Sequence, residues 1–254
     1  MIFITGDKPN EKTTKIWAVL LWLTVWEIGA RFIGQEVLLV SPVVVLLRLL
    51  QLMTVSEFWS SIAFSFLRII GGFLLALCVG TFLSGISFFS RVIRELVQPL
   101  IVVMTTIPVA SFIILILIWV PSRNLAVVIS FLMVLPIIYK NILEGIGQMD
   151  GQLLEMAQVF QVSRRKRLRY LYIPQLMPYF RTAASLSLGL CWKAGVAAEV
   201  IGIPKGSIGE KLYEAKIYLQ TPDLFAWTLT IIILSVSFEK LFLFFVDKLL
   251  LFNH

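Results

Sequence analysis

The chain has 254 residues, of which 59% are apolar and 15% charged, with a formal net charge of +7. Its mean hydropathy is +0.91. Soluble domains carry about 25% charged residues, and so few polar side chains do not cover a soluble surface of this size. A cytosolic enzyme, a disordered protein and a disulfide scaffold are therefore excluded. An all-α polytopic membrane protein remains, because the apolar runs are long and do not alternate.

In chain order, six apolar segments are each near the ~20 residues that cross a bilayer. They run 16–33, 58–85, 97–120, 125–142, 175–201 and 225–249. The first is no cleaved signal peptide, since Trp17, Trp22 and Trp26 interrupt it and no small-residue cleavage site follows. A shorter run, 41–53, follows Pro42, carries Arg48 and reads as an interfacial helix. The second span carries Gly72, Ala76, Gly80 and Ser84 at steps of four, a ridge that lets helices approach closely, within the chain or between copies. Pro108 and Pro136 are expected to bend the third and fourth spans, with Thr105 and Thr106 placed to satisfy freed carbonyls.

An even number of spans puts both termini on one side. If that side is the cytoplasm, about twelve basic residues fall inside and about six outside. The inside group includes Lys8, Lys12, Lys15, Arg91, Arg94 and the cluster Arg164–Arg169; the outside group includes Arg31, Arg48, Arg123, Lys205, Lys211 and Lys216. The positive charge thus sets topology and does not point to nucleic acid. Cys78 and Cys191 lie in apolar runs and read as small buried hydrophobes.

Between the fourth and fifth spans lies a polar stretch at about 143–174. From Asp150 it reads as a short helix with Leu153, Ala157 and Phe160 on one face, a break at Gln161–Ser163, and a second helical piece capped by Ser163. Pro174 suits the first turn of the next span. An apolar stripe on such a helix needs lipid or a partner protein to cover it.

On the fifth span, Ser185, Gly189, Trp192, Val196 and Glu199 recur at steps of three and four, with Arg181 preceding them. Such a stripe is expected to face the bundle, lining a translocation path or packing against another helix. Lys193 lies off the stripe; a charge at this depth costs about 2.5–3.5 kcal/mol unless it snorkels, pairs or faces water. After this span comes an outer segment, 202–223, with Pro204, Gly206 and Gly209, then a short helix ending near Tyr218. There is no H-E-x-x-H motif or G-x-x-x-x-G-K-[ST] loop, and the one histidine is His254. An intramembrane enzyme is thus disfavoured beside a transport subunit, and a self-sufficient channel or secondary transporter is the alternative.

The loop resembles that of ABC importer permeases, the inner-membrane components of binding-protein-dependent transport systems. Glu155-Met156-Ala157 stands for the family's Glu-Ala-Ala, Gln161 occupies the place of its Gly, and Tyr172-Ile173-Pro174 closes it. Ser65–Phe73, Gln98-Pro99, Ile107–Ala110, Trp192–Gly202 and Gly206–Gly209 are similar to the nitrate, sulfonate and taurine branch. The resemblance covers about residues 60–250 and implies a type I importer core over 58–250, with residues 1–57 as an N-terminal addition. It implies a multi-pass subunit of the bacterial inner membrane, paired with a second copy. An external binding protein would deliver a small solute, and partner ATPase subunits would hold ATP and magnesium, so that this chain needs no cofactor. Leu153, Glu155, Ala157, Phe160, Gln161 and Ser163 would belong to the ATPase-coupling element, and Ser185, Gly189, Trp192, Lys193 and Glu199 to the path. The basic cluster is assigned to topology, with anionic lipid or an acidic ATPase surface as alternatives.

Overall fold

The computed structural model describes the backbone of residues 11–35 and 37–251 and the side chains of 17–35 and 37–248. Lys8 and His254, and the side chains of Lys12 and Lys15, lie outside the described residues. The elements are α1 (Glu11–Ile33), α2 (Pro42–Met53), α3 (Ser56–Phe89), α4 (Arg91–Thr106), α5 (Val109–Ile116), α6 (Ser122–Gly147), α7 (Gly151–Val159), α8 (Arg164–Arg167), α9 (Ile173–Gly202), α10 (Ile208–Ile217) and α11 (Thr221–Leu251). A π-helical turn, Leu168–Tyr172, joins α8 to α9. No strand occurs among the described residues.

Among the described residues, four helices are long and apolar enough to cross a membrane: α3, α6, the run Arg164–Gly202 and α11. A fifth is reached if α4 and α5 count as one span, but these two meet at 109°. The expected continuous span 97–120 is therefore corrected to a broken pair. Ile107 and Pro108 are both extended at the break, where proline lacks an N–H and its ring disfavours helix in the residue before it. Thr105 bonds the carbonyls of Ile101 and Val102, and Thr106 that of Val102 at 3.0 Å. Pro136, by contrast, sits inside a continuous α6. The expected first span corresponds to α1, whose described face is largely exposed from Trp17 to Phe32.

The centre is α6, packed along both α3 and α9. Small residues permit this approach. A Cβ on Gly72 would strike the Val127 carbonyl and Ser130, one on Gly80 would come within 2.9 Å of Ile138, and one on Gly195 within 2.6 Å of Ile69. The ridge at Gly72, Ala76, Gly80 and Ser84 is thus used up inside the chain. Ile69, Phe73, Val134, Ile138, Leu188, Cys191 and Trp192 fill the core around it. Cys191 is buried, as its apolar run suggests, whereas Cys78 is exposed on the outer face of α3. Both thiols are free.

At the other end of the chain order, α2 lies against α11 and α10 against α9 and α11. Ser41 caps α2 through the Val44 N–H at 3.4 Å with Pro42 in the first turn, so the N-terminal addition is tied to the core. Arg48 forms a two-pronged pair with Asp223, Lys211 pairs with Glu57 at 2.7 Å, and Phe58 packs on Trp227 with centroids 4.9 Å apart.

Candidate functional site

The polar loop folds into a helix pinned at both ends. Asp150 caps α7 by accepting from the Gln152 N–H at 2.9 Å, and its own N–H donates to Gln175 Oε1 at 2.9 Å, fixing the helix to the start of α9. At the far end Phe160 closes the helix and Gln161 takes the left-handed conformation, φ 49°. The Val162 N–H then donates to the Ala157 carbonyl at 3.0 Å and the Gln161 N–H to that of Gln158 at 3.0 Å. These two bonds make a Schellman turn. Gln161 therefore adopts the conformation that the glycine of the family motif favours, and the sharp turn is kept. Ser163 occupies the cap position of α8, but its side chain makes no capping bond; its carbonyl accepts the Arg167 N–H at 2.9 Å.

The faces of α7 differ in one respect from the expected stripe. Ala157 is only 4% exposed and turns inward, its carbonyl also accepting from Arg167 at 3.4 Å. The uncovered apolar residues are Leu153, Met156, Val159 and Phe160. Met156 and Val159 lie outside the expected stripe of Leu153, Ala157 and Phe160. Glu155 is exposed and, two residues from Leu153, projects to the opposite side.

The stripe on α9 is divided by the structure. Trp192, Val196 and Glu199 are buried against other helices. Trp192 packs near Phe66. Ser185 donates to Glu239 Oε1 at 2.7 Å, tying α9 to α11. Gly189 and Lys193 instead lie on the face that α9 leaves open, in line with Thr182 and Leu186. A Cβ on Gly189 would meet nothing within 4 Å. Lys193 is exposed and has no ion-pair partner among the described residues. It stands about 13 Å along the helix from the C-terminal end of α9.

Glu199 joins three helices. Its Oε2 accepts from Ser65 Oγ at 2.7 Å and from the Gly209 N–H at 3.2 Å, while Ser65 Oγ accepts from the Ile208 N–H at 2.9 Å. The first two amides of α10 are thus capped by α9 and α3, and the carboxylate lies where the helix dipole favours negative charge. Ser65 and Gly209 had no individual signal in the sequence beyond the segments that resemble the family, since residues so far apart meet only in the fold. The described residues contain no cluster of three or more His, Cys, Asp or Glu able to hold a metal.

Comparison with known proteins agrees with this architecture. The nitrate import permease protein NrtB of Synechococcus elongatus is 26% identical over 206 residues, covering 77% of this chain and 73% of the relative. The formylaminopyrimidine transport permease protein ThiX of Halalkalibacterium halodurans is 27% identical over 188 residues, covering 74% and 75%. The bicarbonate transport system permease protein CmpB of Synechococcus elongatus is 27% identical over 159 residues, covering 62% and 57%. Residues 72–250, well over half of the chain, match the family described as binding-protein-dependent transport system inner membrane component. With the broken span, the pinned loop and the capped α10 in place, the chain belongs to that family, the membrane permeases of ABC importers, and within it resembles the nitrate and sulfonate branch.

Proposed function

We propose that this chain is the permease subunit of an ATP-driven importer for a small anion, working as a pair of identical copies with both termini in the cytoplasm. Partner ATPase subunits cover the α7 face, and an external binding protein delivers the solute. The observation that carries the reading is the α7 lever: a helix fixed at Asp150 and turned at Gln161, with Leu153, Met156, Val159 and Phe160 uncovered. An apolar face on a pinned helix transmits a push only if a partner buries it. Glu155 offers that partner a charge at the opposite edge, and the Ala157 carbonyl is held by Arg167 of α8. Movement of α7 is passed to α9 through Gln175 and the continuous run from Arg164 to Gly202.

The open face of α9 supports the path. Gly189 leaves room beside the helix, and Lys193 supplies a cation on the same face. Among the relatives, NrtB is named for nitrate and CmpB for bicarbonate, both anions; ThiX, named for formylaminopyrimidine, marks the branch as broader than anions.

The deciding experiment is purification of the full chain from its host, followed by reconstitution. The permease is expected to bring down an ATPase, and Leu153→Asp with Phe160→Asp is expected to release it while leaving the permease folded. Solute uptake by liposomes that contain the permease and no ATPase would instead establish a channel or secondary transporter.

A further inference from the structure

On the side of α9 away from Lys193, α3, α9 and α11 enclose an open cavity of about 400 Å³. Leu77, Ile173, Leu176, Phe180, Phe242 and Val246 are among its walls, and no polar side chain lines it. The α9 residues in the wall recur at helical spacing and lie opposite the face of Thr182, Leu186, Gly189 and Lys193. The cavity is therefore separate from the face read as the path. At its rim Arg181 pairs with Asp247 at 2.8 Å, each adjacent in sequence to a wall residue. Immediately upstream of Ile173 runs the basic segment Arg164–Arg169, in which Arg164, Arg165 and Lys166 are exposed and have no acidic partner among the described residues.

We propose that this groove is a binding site for an anionic phospholipid, with one acyl chain in the groove and the phosphate on the basic segment. The wall offers no donor or acceptor, so an extended peptide laid there would leave its backbone groups unsatisfied at high cost, whereas a hydrocarbon chain brings none. Asp247 at the rim is taken up by Arg181, whereas Arg164, Arg165 and Lys166 have no acidic partner among the described residues, and basic clusters next to a membrane helix attract acidic headgroups. Because α8 continues from the Schellman turn of α7, a lipid held there braces the base of the lever. The site goes beyond the transport reading and does not depend on the solute.

The test measures lipids retained by the purified full-chain complex, by native mass spectrometry with phosphatidylglycerol or phosphatidylethanolamine as the added probe. Phosphatidylglycerol is expected to be retained in preference, and the R164Q/R165Q/K166Q variant is expected to lower its retention by roughly fivefold for each charge removed. Leu77→Trp, which fills the groove, is expected to lower retention with the basic segment intact. Long-chain phosphatidylglycerol is expected to outcompete a short-chain form with the same headgroup, a comparison that needs no variant. Equal retention of the two headgroups, or equal competition by the two chain lengths, overturns the proposal. So does a triple variant that loses the ATPase but keeps its lipid, or a Leu77→Trp that alters oligomeric state but not lipid retention.

Discussion

Gly209 lies so close to Glu199 that a Cβ on the glycine would overlap both the Cβ and the backbone of the glutamate. This approach is what allows the Gly209 N–H to reach Glu199 Oε2 at 3.2 Å. Gly209→Ala is therefore expected to cost about 1–3 kcal/mol through overpacking. Gly189→Ala, in open space on the same bundle, is expected to be neutral or stabilising by up to about 1 kcal/mol, because alanine is the better helix former. Thermal unfolding of the two purified variants checks the contrast.

The carboxylate is a structural anchor for α10. Glu199→Ala strands the Ser65 hydroxyl and the Gly209 N–H in a buried place, at about 1–3 kcal/mol for each group left unsatisfied. Ser65→Ala removes the acceptor of the Ile208 N–H as well as a donor to Glu199. A double-mutant cycle between Ser65 and Glu199 is expected to show coupling of about 0.5–3 kcal/mol, as residues in one network do. Additive effects would separate the two residues.

Gln161 makes the turn that ends α7 with a side chain in the left-handed region, φ 49°. That conformation costs a non-glycine residue about 1–2 kcal/mol. Gln161→Gly is expected to recover part of this, the remainder being offset by the greater freedom of glycine in the unfolded chain. Gln161→Val is expected to loosen the turn further, since β-branched residues tolerate positive φ poorly. Hydrogen exchange at the Gln161 and Val162 amides, which close the turn, reports both changes directly.

How much of this was legible in the sequence depends on whether a feature is local. The helices that became α3, α6 and α11, the short apolar α2 and the short α7 follow from apolar runs, Pro42 and the polar start at Asp150. The resemblance marked the loop at about 143–174 because Glu155, Ala157 and Pro174 lie in one short stretch. The sharp break at Pro108 was only partly legible: a proline announces a bend, but 109° is set by what α5 packs against. The division of the α9 stripe was not legible, because helical spacing places residues on a face without saying what covers it. Glu199 is buried by α10, which arrives from ten residues further on, and by Ser65 from 134 residues away.

The ion pairs of Lys211 with Glu57 and Glu214 give a pH expectation with a definite sign. Partial burial works against the Lys211 ammonium, but hydrogen bonds to Glu57 and Glu214 outweigh it and raise its pKa above the ordinary lysine value. A raised folded-state pKa contributes stability that is fully present below the unfolded value of about 10.4 and is lost as pH rises through the folded value. Both carboxylates are well exposed, so Lys211→Gln is expected to cost at most about 1 kcal/mol. The deficit against the parent protein is expected to stay constant from about pH 6 to pH 9 and to shrink at more alkaline pH. Thermal unfolding across that range measures it, and a deficit that grows with alkalinity would contradict the pairing.

Lys193 gives the sharpest test of substrate class. It is the cation on the open face of α9, with Gly189 leaving space one turn away. If an anion passes this face, Lys193→Met removes one charge-assisted contact and is expected to raise the half-saturating concentration for uptake roughly tenfold or more. Lys193→Arg keeps the charge and is expected to retain most of the affinity. ATPase stimulation by the loaded binding protein should persist in both variants, because α7 and Glu199 are untouched. Unchanged uptake affinity and rate in Lys193→Met would exclude the lysine from the path.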